Sequence, residues 1–251
     1  MSIWVWLGAP LIGLLLGLFG AGGGMLTVPL LIYGLGFNIK AAIATSLWIV
    51  ATVSLVAATQ QRVWRILEPR LLGFFGLGGL VGGAAGAWIG TWINPVIQET
   101  LFALLLVTIG VWMSRLKLSN DHNKFICPCG LAVLSGAILG IVTGLLGVGG
   151  GFLIIPALLY LGISKMPVAV AHSLILISFN AIVSGAIYLD EVDISSDTLI
   201  IIVGLASAGS IAGSILLKHI ATIKLQKAFS IGLAIVGIAM LGKIISGFIS
   251  H

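Results

Sequence analysis

A glycine-rich element occurs twice in this chain. The first copy, GLLLGLFGAGGGMLTVP, begins at residue 13, and the second, GIVTGLLGVGGGFLIIP, begins at residue 140, an offset of 127 residues. The same offset relates residues 44–47 (ATSL) to residues 171–174 (AHSL). An ungapped duplication of this length predicts a fold built from two copies of one unit. We place repeat one at residues 1–124 and repeat two at residues 125–251.

The composition excludes a water-soluble globule. Of the 251 residues, 59% are hydrophobic and only 8% are charged, which leaves too little polar surface for solubility. The chain contains about eight continuous apolar segments of helical length, and this pattern differs from the alternating one of a membrane barrel. We therefore predict an all-α integral membrane protein in the lipid bilayer of the cell inner (cytoplasmic) membrane.

The positive charges lie in a few short loops. The net charge of +5 favours contact with the cytoplasmic lipid face and argues against nucleic acid as a partner. Loops 91–98 and 190–197 contain neither Lys nor Arg and are predicted to lie outside the cell. The loops predicted to be cytoplasmic carry Arg62, Arg65 and Arg70, then Arg115, Lys117 and Lys124, then Lys218, Lys224 and Lys227.

This charge pattern requires a re-entrant segment. The basic loop at 115–124 and the outside loop at 190–197 must be joined by an odd number of crossings, but two apolar segments lie between them. Segment 126–163 is interrupted by glycines, so we predict that it enters the membrane and returns to the same side. After Gly151 only about ten residues follow, roughly 15 Å of helix, which reaches the middle of the bilayer.

Each repeat would then contain one glycine-broken re-entrant hairpin, or broken helix, plus three transmembrane helices. Because equivalent loops fall on opposite sides, the two repeats are predicted to have inverted topology. Eight full crossings with parallel repeats is the alternative. Lys40, which the inverted arrangement places outside, counts against inversion.

Each glycine triplet precedes a short helix and predicts an anion site. Glycine has no side chain to block close approach, and the first N–H groups of a helix lie unpaired at its positive end. The alternative is that the glycines only allow helices to pack. Pro29 and Pro156 are expected to end or kink the short helices. The triplets are Gly22, Gly23 and Gly24, and Gly149, Gly150 and Gly151.

The helix after each hairpin has a polar patch near its start. Thr45 and Ser46 form the first patch, and His172 and Ser173 the second. We expect these residues to line the substrate path, although hydroxyl groups also join helices to each other. His172 is interpreted either as a proton relay or anion contact, or as a hydrogen-bonded packing residue. Helical spacing extends the patches along Thr45, Thr52 and Thr59, and along Ser173, Asn180 and Ser184.

The chain lacks the common catalytic motifs. Walker A, HExxH and GxSxG patterns do not occur in the sequence, so we predict that it is not an enzyme and needs no cofactor. Cys127 and Cys129 supply too few ligands for a zinc ion, so no metal site is expected. The apolar segments contain no Asp or Glu, which argues against cation coupling through a carboxylate.

The doubled GxxxGxxGxGGGxxxxP element, with A-x-[TH]-S-L after each proline, resembles the sulfite exporter TauE/SafE family of membrane permeases. The resemblance implies transport of small sulfur-containing anions such as sulfite, thiosulfate or organosulfonates. It places the substrate at residues 22–24 with Pro29 and Ser46, and at residues 149–151 with Pro156 and Ser173. Thr45 stands where a second histidine would match His172, so the two half-sites are unequal.

These inferences predict a secondary transporter, a permease or exporter, that binds a small anion at the midplane between the two hairpins. One alternative is an anion-selective channel with a fixed filter. Another is a membrane scaffold in which the glycines serve only for packing. The sequence leaves open the direction of transport, the coupling ion and assembly into a homo-oligomer.

Overall fold

The described part of the chain is helical. The computed structural model describes residues 8–14, 17, 24–61, 63, 66–115, 129–147, 151–161, 163, 166–189, 196–216 and 222–249. These residues contain no β-strand, which confirms the all-α class. The helices are α1 (residues 8–14), α2 (Gly24–Leu35), α3 (Ile39–Gln60), α4 (Pro69–Trp92), α5 (Pro95–Arg115), α6 (Cys129–Leu146), α7 (Gly151–Tyr160), α8 (Met166–Ile187), α9 (Ser196–Leu216) and α10 (Thr222–Ile249).

Several helices are long and apolar enough to cross a membrane. Among the described residues, α3, α4 and large parts of α5 and α8 meet this criterion, while the apolar parts of α2, α6, α9 and α10 are shorter. Such a set indicates a multi-pass membrane protein. Three spans in each repeat remain a prediction, because in the second half only α8 reaches full length within the described residues.

α3 and α8 are the inner helices of their unit. In the apolar stretch of each helix 72% of the residues are buried, compared with 33% in α4. On α4 the exposed side chains include Leu77, Val81 and Trp88. Apolar groups on an outer surface suit contact with lipid.

Glycines allow α4 and α6 to pack with their backbones in contact. A Cβ atom on any of three α4 glycines would overlap a carbonyl oxygen of α6, and α6 glycines meet α4 in the same way. Small residues at helix interfaces are typical of membrane proteins. The residue numbers rise together on both helices, so α4 and α6 run parallel. The contacts join Gly78 to Val133, Gly82 to Ala137, Gly86 to Ile141, Gly136 to Phe75, Gly140 to Gly79 and Gly144 to Gly83.

α1 and α9 pack by matching contacts. Each contact here has a counterpart between α4 and α6, with one partner 127 residues earlier and the other 127 residues later. Gly82 against Ala137, for example, corresponds to Gly209 against Pro10. α1 and α9 are therefore also parallel. The contacts join Gly13 to Ala206, Gly17 to Ser210, Gly209 to Pro10 and Gly213 to Leu14.

The chain reverses direction between α6 and α8. α8 runs parallel to α4, because Gly76 lies against Leu176 and Gly83 lies against Asn180 and Ser184. Since α6 is also parallel to α4, the segment that contains α7 must return between them. α7 has 10 residues, the length predicted for the short helix. Re-entry into a bilayer stays a prediction.

α3 runs antiparallel to both α4 and α8. Lys40, at the start of α3, donates from Nζ to the carbonyl of Thr91 at the end of α4 (2.6 Å). Gly185, near the end of α8, lies against Trp48 in the first half of α3. Glu68, beyond the end of α3, contacts His172 near the start of α8. Together these contacts fix the directions of the inner helices.

α5 and α10 form a compact unit of their own, and the other helices form a second unit. Within the smaller unit, Gly110 faces Ser230 and Ala234, whereas Gly237 faces Ala103 and Val107. Numbers rise on one helix as they fall on the other, so α5 and α10 are antiparallel. Each unit takes helices from both halves of the sequence, and the repeat boundaries at 1–124 and 125–251 remain a prediction.

Some loop residues used for the topology lie outside the described residues. The orientation predicted from them therefore stays a prediction. They are Arg62, Arg65, Lys117, Lys124, Lys218 and residues 190–195, and Cys127 also lies outside.

Candidate functional site

The two short helices begin at equivalent glycines. α2 starts at Gly24 and α7 at Gly151, the third glycine of each triplet. Gly22, Gly23, Gly149 and Gly150 lie outside the described residues. The first N–H groups of a helix have no partner within it and carry its partial positive charge. A positive helix end therefore stands at each glycine element, as the predicted anion site requires.

Neither of the two equivalent prolines ends its helix. Pro29 lies inside α2, and Pro156 lies within the range of α7. Proline lacks an N–H group, so each removes one hydrogen bond from its helix without stopping it. Each proline lies five residues after the glycine at which its short helix begins.

Gly147 ends α6. It belongs to the doubled glycine motif but is not among the residues predicted for the site. Its φ angle is +68°, and its N–H donates to the carbonyl of Thr143 (2.9 Å). This is a left-handed C-terminal cap, which favours glycine. A Cβ atom at this position would also overlap Ile43 of α3. A glycine directly after an apolar helical run was the available signal.

Ser46 joins α3 to the second glycine element. It is fully buried, and its Oγ lies within hydrogen-bond distance of the carbonyls of Ile43 (2.8 Å) and Gly147. A hydroxyl group has one proton, so the two carbonyls share it. The structure thus brings a predicted site residue of the first half to the glycines of the second half.

Thr45 and Ser173 are fully buried and bond to their own helices. Thr45 donates to the carbonyl of Ala41 (2.6 Å), and Ser173 donates to that of Val170 (2.8 Å). A substrate that accepted either proton would have to turn the hydroxyl away from its helix. Their predicted role as substrate contacts stays a prediction.

His172 is fully buried, and both of its ring nitrogens have main-chain partners. Nδ1 donates to the carbonyl of Val168 (2.8 Å), and Nε2 accepts the N–H of Glu68 (2.7 Å). These partners assign the neutral ring with its proton on Nδ1. A proton relay or an anion contact at His172 would require one of these two hydrogen bonds to break, and its role stays a prediction.

The polar stripe of α8 faces α4 and α6. Asn180 donates from Nδ2 to Thr143 Oγ1 (2.7 Å), and Thr143 donates to the carbonyl of Gly140 (3.0 Å). Asn180 Oδ1 and Ser184 Oγ are buried and have no hydrogen-bond partner among the described residues. Both oxygens lie against Gly83 of α4.

The buried polar residues of the described part are uncharged. They are serines, threonines, Gln98, Asn180 and His172, with no Asp, Glu, Lys or Arg among them. The described residues also contain no group of three or more His, Cys, Asp and Glu side chains that would hold a metal ion. Helix ends, hydroxyls and amides therefore supply the electrostatics of this interior.

The family model described as "Sulfite exporter TauE/SafE" matches residues 5–240. The chain belongs to the TauE/SafE sulfite exporter family. The match spans both glycine elements and the helices that follow them, so the resemblance found in the sequence is confirmed.

Relatives of this TauE/SafE protein are membrane transporters by name. A probable membrane transporter protein of Xylella fastidiosa strain 9a5c is 31% identical over 245 residues, covering 92% of this chain and 90% of the relative. One from strain Temecula1 is 34% identical over 184 residues, or 68% of each chain. One from Methanocaldococcus jannaschii is 30% identical over 184 residues, covering 68% of this chain and 66% of the relative. No solved structure matches the chain. The family, the relatives and the apolar helices together support a multi-pass membrane transporter.

Proposed function

We propose that this TauE/SafE protein is a secondary transporter that carries small sulfur-containing anions across the cytoplasmic membrane. The anion binds at the midplane, between the two glycine hairpins. The observation that carries this proposal is the pair of helix starts at Gly24 and Gly151, because two positive helix ends can hold an anion without a basic side chain.

An inverted-repeat architecture is part of this proposal, and the helix directions support it. α3 and α8 are equivalent in sequence and run antiparallel, and so do α5 and α10. Helices of parallel repeats would run in the same direction. In inverted-repeat transporters the site lies where the repeats meet, near the bilayer midplane.

The chemistry of the interior favours an anion as the transported substrate. The described residues bury hydroxyls and amides but no carboxylate. A sulfite or sulfonate group is compact and spreads its charge over several oxygens, so N–H and O–H donors can hold it. The choice of sulfur over other anions rests on the family's name. Modest affinity suits a carrier, because the substrate must also leave.

Counterflow in proteoliposomes tests this function. Sulfite, thiosulfate, sulfoacetate and taurine are compared with chloride, phosphate and acetate at matched ionic strength. We expect saturable uptake with counterflow of the labelled sulfur anion. Flux that does not saturate would indicate a channel, and the absence of flux would indicate a scaffold. Uptake that follows phosphate or acetate would overturn the sulfur assignment.

Glycine variants separate the site from the packing. Gly23→Leu and Gly150→Leu should abolish transport while the protein remains folded in the membrane, because leucine fills the space for the anion. Gly213→Leu is the packing control, since even a Cβ there overlaps the carbonyl of Leu14, and it should lower thermal stability. Equal losses of stability at all three positions would show that the glycine triplets serve only for helix packing.

A further inference from the structure

Two buried oxygens on α8 are left without partners at the junction of α4, α6 and α8. Asn180 Oδ1 and Ser184 Oγ lie one helical turn apart, and neither has a hydrogen-bond partner among the described residues. Asn180 is 5% exposed and Ser184 is 0% exposed. Buried polar atoms normally have hydrogen-bond partners. Two neighbouring oxygens without partners therefore indicate that a ligand or a water molecule binds here.

Both oxygens border the same point on α4. A Cβ atom on Gly83 would overlap Asn180 Oδ1 and would come within 3.0 Å of Ser184 Oγ. The two oxygens are therefore separated by no more than about 5 Å, a distance at which one ion can contact both. Glycine at position 83 places no side chain of its own against these oxygens.

The surroundings favour a cation over an anion at this point. The amide nitrogen of Asn180 is already bonded to Thr143, so the group that faces Gly83 is an acceptor. Thr143 lies in the last turn of α6, which ends at Leu146, and the C-terminal end of a helix carries partial negative charge. Oxygen ligands and a negative helix end suit a hard cation. Without a carboxylate, the site suits a single positive charge better than a double one.

The first half of the chain lacks this cluster. By the 127-residue offset, Asn180 corresponds to Val53, Ser184 to Ala57 and Gly83 to Ser210. Val53 and Ala57 are fully buried apolar residues on the equivalent inner helix. Packing of an inner helix therefore does not require polar groups at these two positions, although Ser210 also carries a buried hydroxyl that has no hydrogen-bond partner among the described residues.

We propose that Asn180 Oδ1 and Ser184 Oγ form a binding site for a monovalent alkali cation, with sodium as the coupling ion of transport. The binding site stands on the contacts of α8, whereas the coupling role rests on the proposed function. The remaining ligand positions go to water or to an oxygen of the transported anion. A bound cation raises the affinity for the anion, and the anion raises the affinity for the cation by the same factor.

Thermal unfolding of the purified full chain tests the cation site without any transport. Detergent-solubilised protein is heated in sodium, potassium or choline chloride at equal ionic strength, with no sulfur anion present. Sodium at a hundredfold excess over its Kd should raise the Tm by about 5 °C or more over choline. Equal Tm values in sodium and choline would overturn the proposal.

Ser184→Ala is the main variant, because alanine already occupies the equivalent position 57. It should keep its Tm in choline and lose the rise in sodium. Ser178→Ala on the same helix is the matched control, since Ser178 is buried but bonds only to its own helix at Leu174 (2.7 Å). A sodium effect that survives in Ser184→Ala at full size would mean non-specific stabilisation and would overturn the site.

A second pair of variants acts from α4. Gly83→Ala should abolish the sodium effect, because its Cβ overlaps Asn180 Oδ1, whereas Gly79→Ala one turn earlier has its nearest neighbour at 3.9 Å and should retain it. If anions stabilise the protein through Asn180 and sodium does not, the amide faces Gly83 with its nitrogen, and the cation assignment is wrong.

Proteoliposomes then separate the two proposals. An inward sodium gradient should drive uptake of sulfoacetate at least tenfold above a choline gradient in the wild type and in Ser178→Ala, and Ser184→Ala should lose this ratio. Sodium stabilisation that depends on Ser184 in a protein without anion transport would support the site and contradict the proposed function. Saturable anion transport with no sodium dependence would support the function and overturn the coupling role.

Discussion

α3 and α8 are equivalent helices of the two halves, but their polar side chains have different partners. In α3, Thr45 and Thr52 donate to carbonyls of their own helix. In α8, His172 binds the N–H of Glu68 and Asn180 binds Thr143, both on other elements. The two inner helices therefore share their place in the repeat, whereas the polar side chains of each copy form different hydrogen bonds.

Ser46 is the point where α3 departs from this pattern. Its hydroxyl reaches Gly147 at the end of α6, and Ile43 packs on the same glycine. α3 thus meets one glycine of the second element through a serine hydroxyl and an isoleucine side chain. α8 meets its neighbours through a histidine ring and a side-chain amide. Four experiments test this comparison.

Gly147→Ala should have the largest effect, because it breaks the contact of α3 with the end of α6. The φ angle of +68° disfavours alanine, and its Cβ would overlap Ile43. We expect a loss of about 3 kcal/mol or more of unfolding free energy, measured by denaturant or thermal unfolding in detergent. Gly36→Ala is the control, since Gly36 has φ +72° with nothing near its Cβ position, and it should lose only about 1–2 kcal/mol. Equal losses of unfolding free energy in the two variants would show that an added methyl group at position 147 fits against α3 without cost.

Exchanging equivalent residues tests whether the two inner helices are interchangeable. Val53→Asn should destabilise the protein by up to about 3 kcal/mol, because Val53 is fully buried and an amide there would lose its hydrogen bonds to water. Asn180→Val should cost less than about 1 kcal/mol in sodium-free buffer, since it removes an unpaired oxygen and Thr143 keeps its bond to Gly140. Thermal unfolding of both variants gives the comparison, and equal costs would contradict it.

His172→Ala should destabilise the protein by about 2 kcal/mol, because it removes a buried ring and leaves the N–H of Glu68 without its acceptor. Hydrogen exchange at the Glu68 amide should become faster, a change that loss of packing alone does not produce. Thr45→Ala, at the equivalent position of α3, should cost less than about 1 kcal/mol, since Thr45 donates only within its helix turn. Unchanged exchange at Glu68 would contradict the observed hydrogen bond.

Ser46→Ala should have the smallest effect on stability and a measurable effect on transport. Loss of the bond to Gly147 should raise the apparent KM for the sulfur anion about fivefold. Ser178→Ala removes an equally buried serine hydroxyl and should leave the KM unchanged. Equal KM values for both variants would show that the Ser46 hydroxyl does not contribute to anion binding.

Much of the fold follows from local sequence signals. The length and continuity of the apolar segments predict membrane helices, and α7 has the predicted 10 residues. A helix begins at the third glycine of each triplet, where the following apolar run has helical length. The packing of Gly82 against Ala137 and of Gly209 against Pro10 suits the small-residue pattern, although the partner helix is not readable from it.

The candidate site was less predictable. Gly147 belongs to the repeated glycine motif, but the motif does not reveal its contact with Ile43, which lies about 100 residues earlier in the chain. The sequence allowed two interpretations of His172. Only the structure shows that both ring nitrogens form hydrogen bonds, one of them with the N–H of Glu68. The stripe of Ser173, Asn180 and Ser184 was visible as a helix face, but not the unpaired oxygens that it presents to α4.

The sequence by itself determined the membrane class, the duplication, the short helix of the second glycine element and the family, because these depend on composition, spacing and order. Only the tertiary structure decided that α4 packs on α6, that Ser46 meets Gly147 and that Asn180 meets Thr143. The physical reason is that hydrogen bonds and close packing act over a few ångströms in space, while these partners are separated by 37 to 101 residues along the chain.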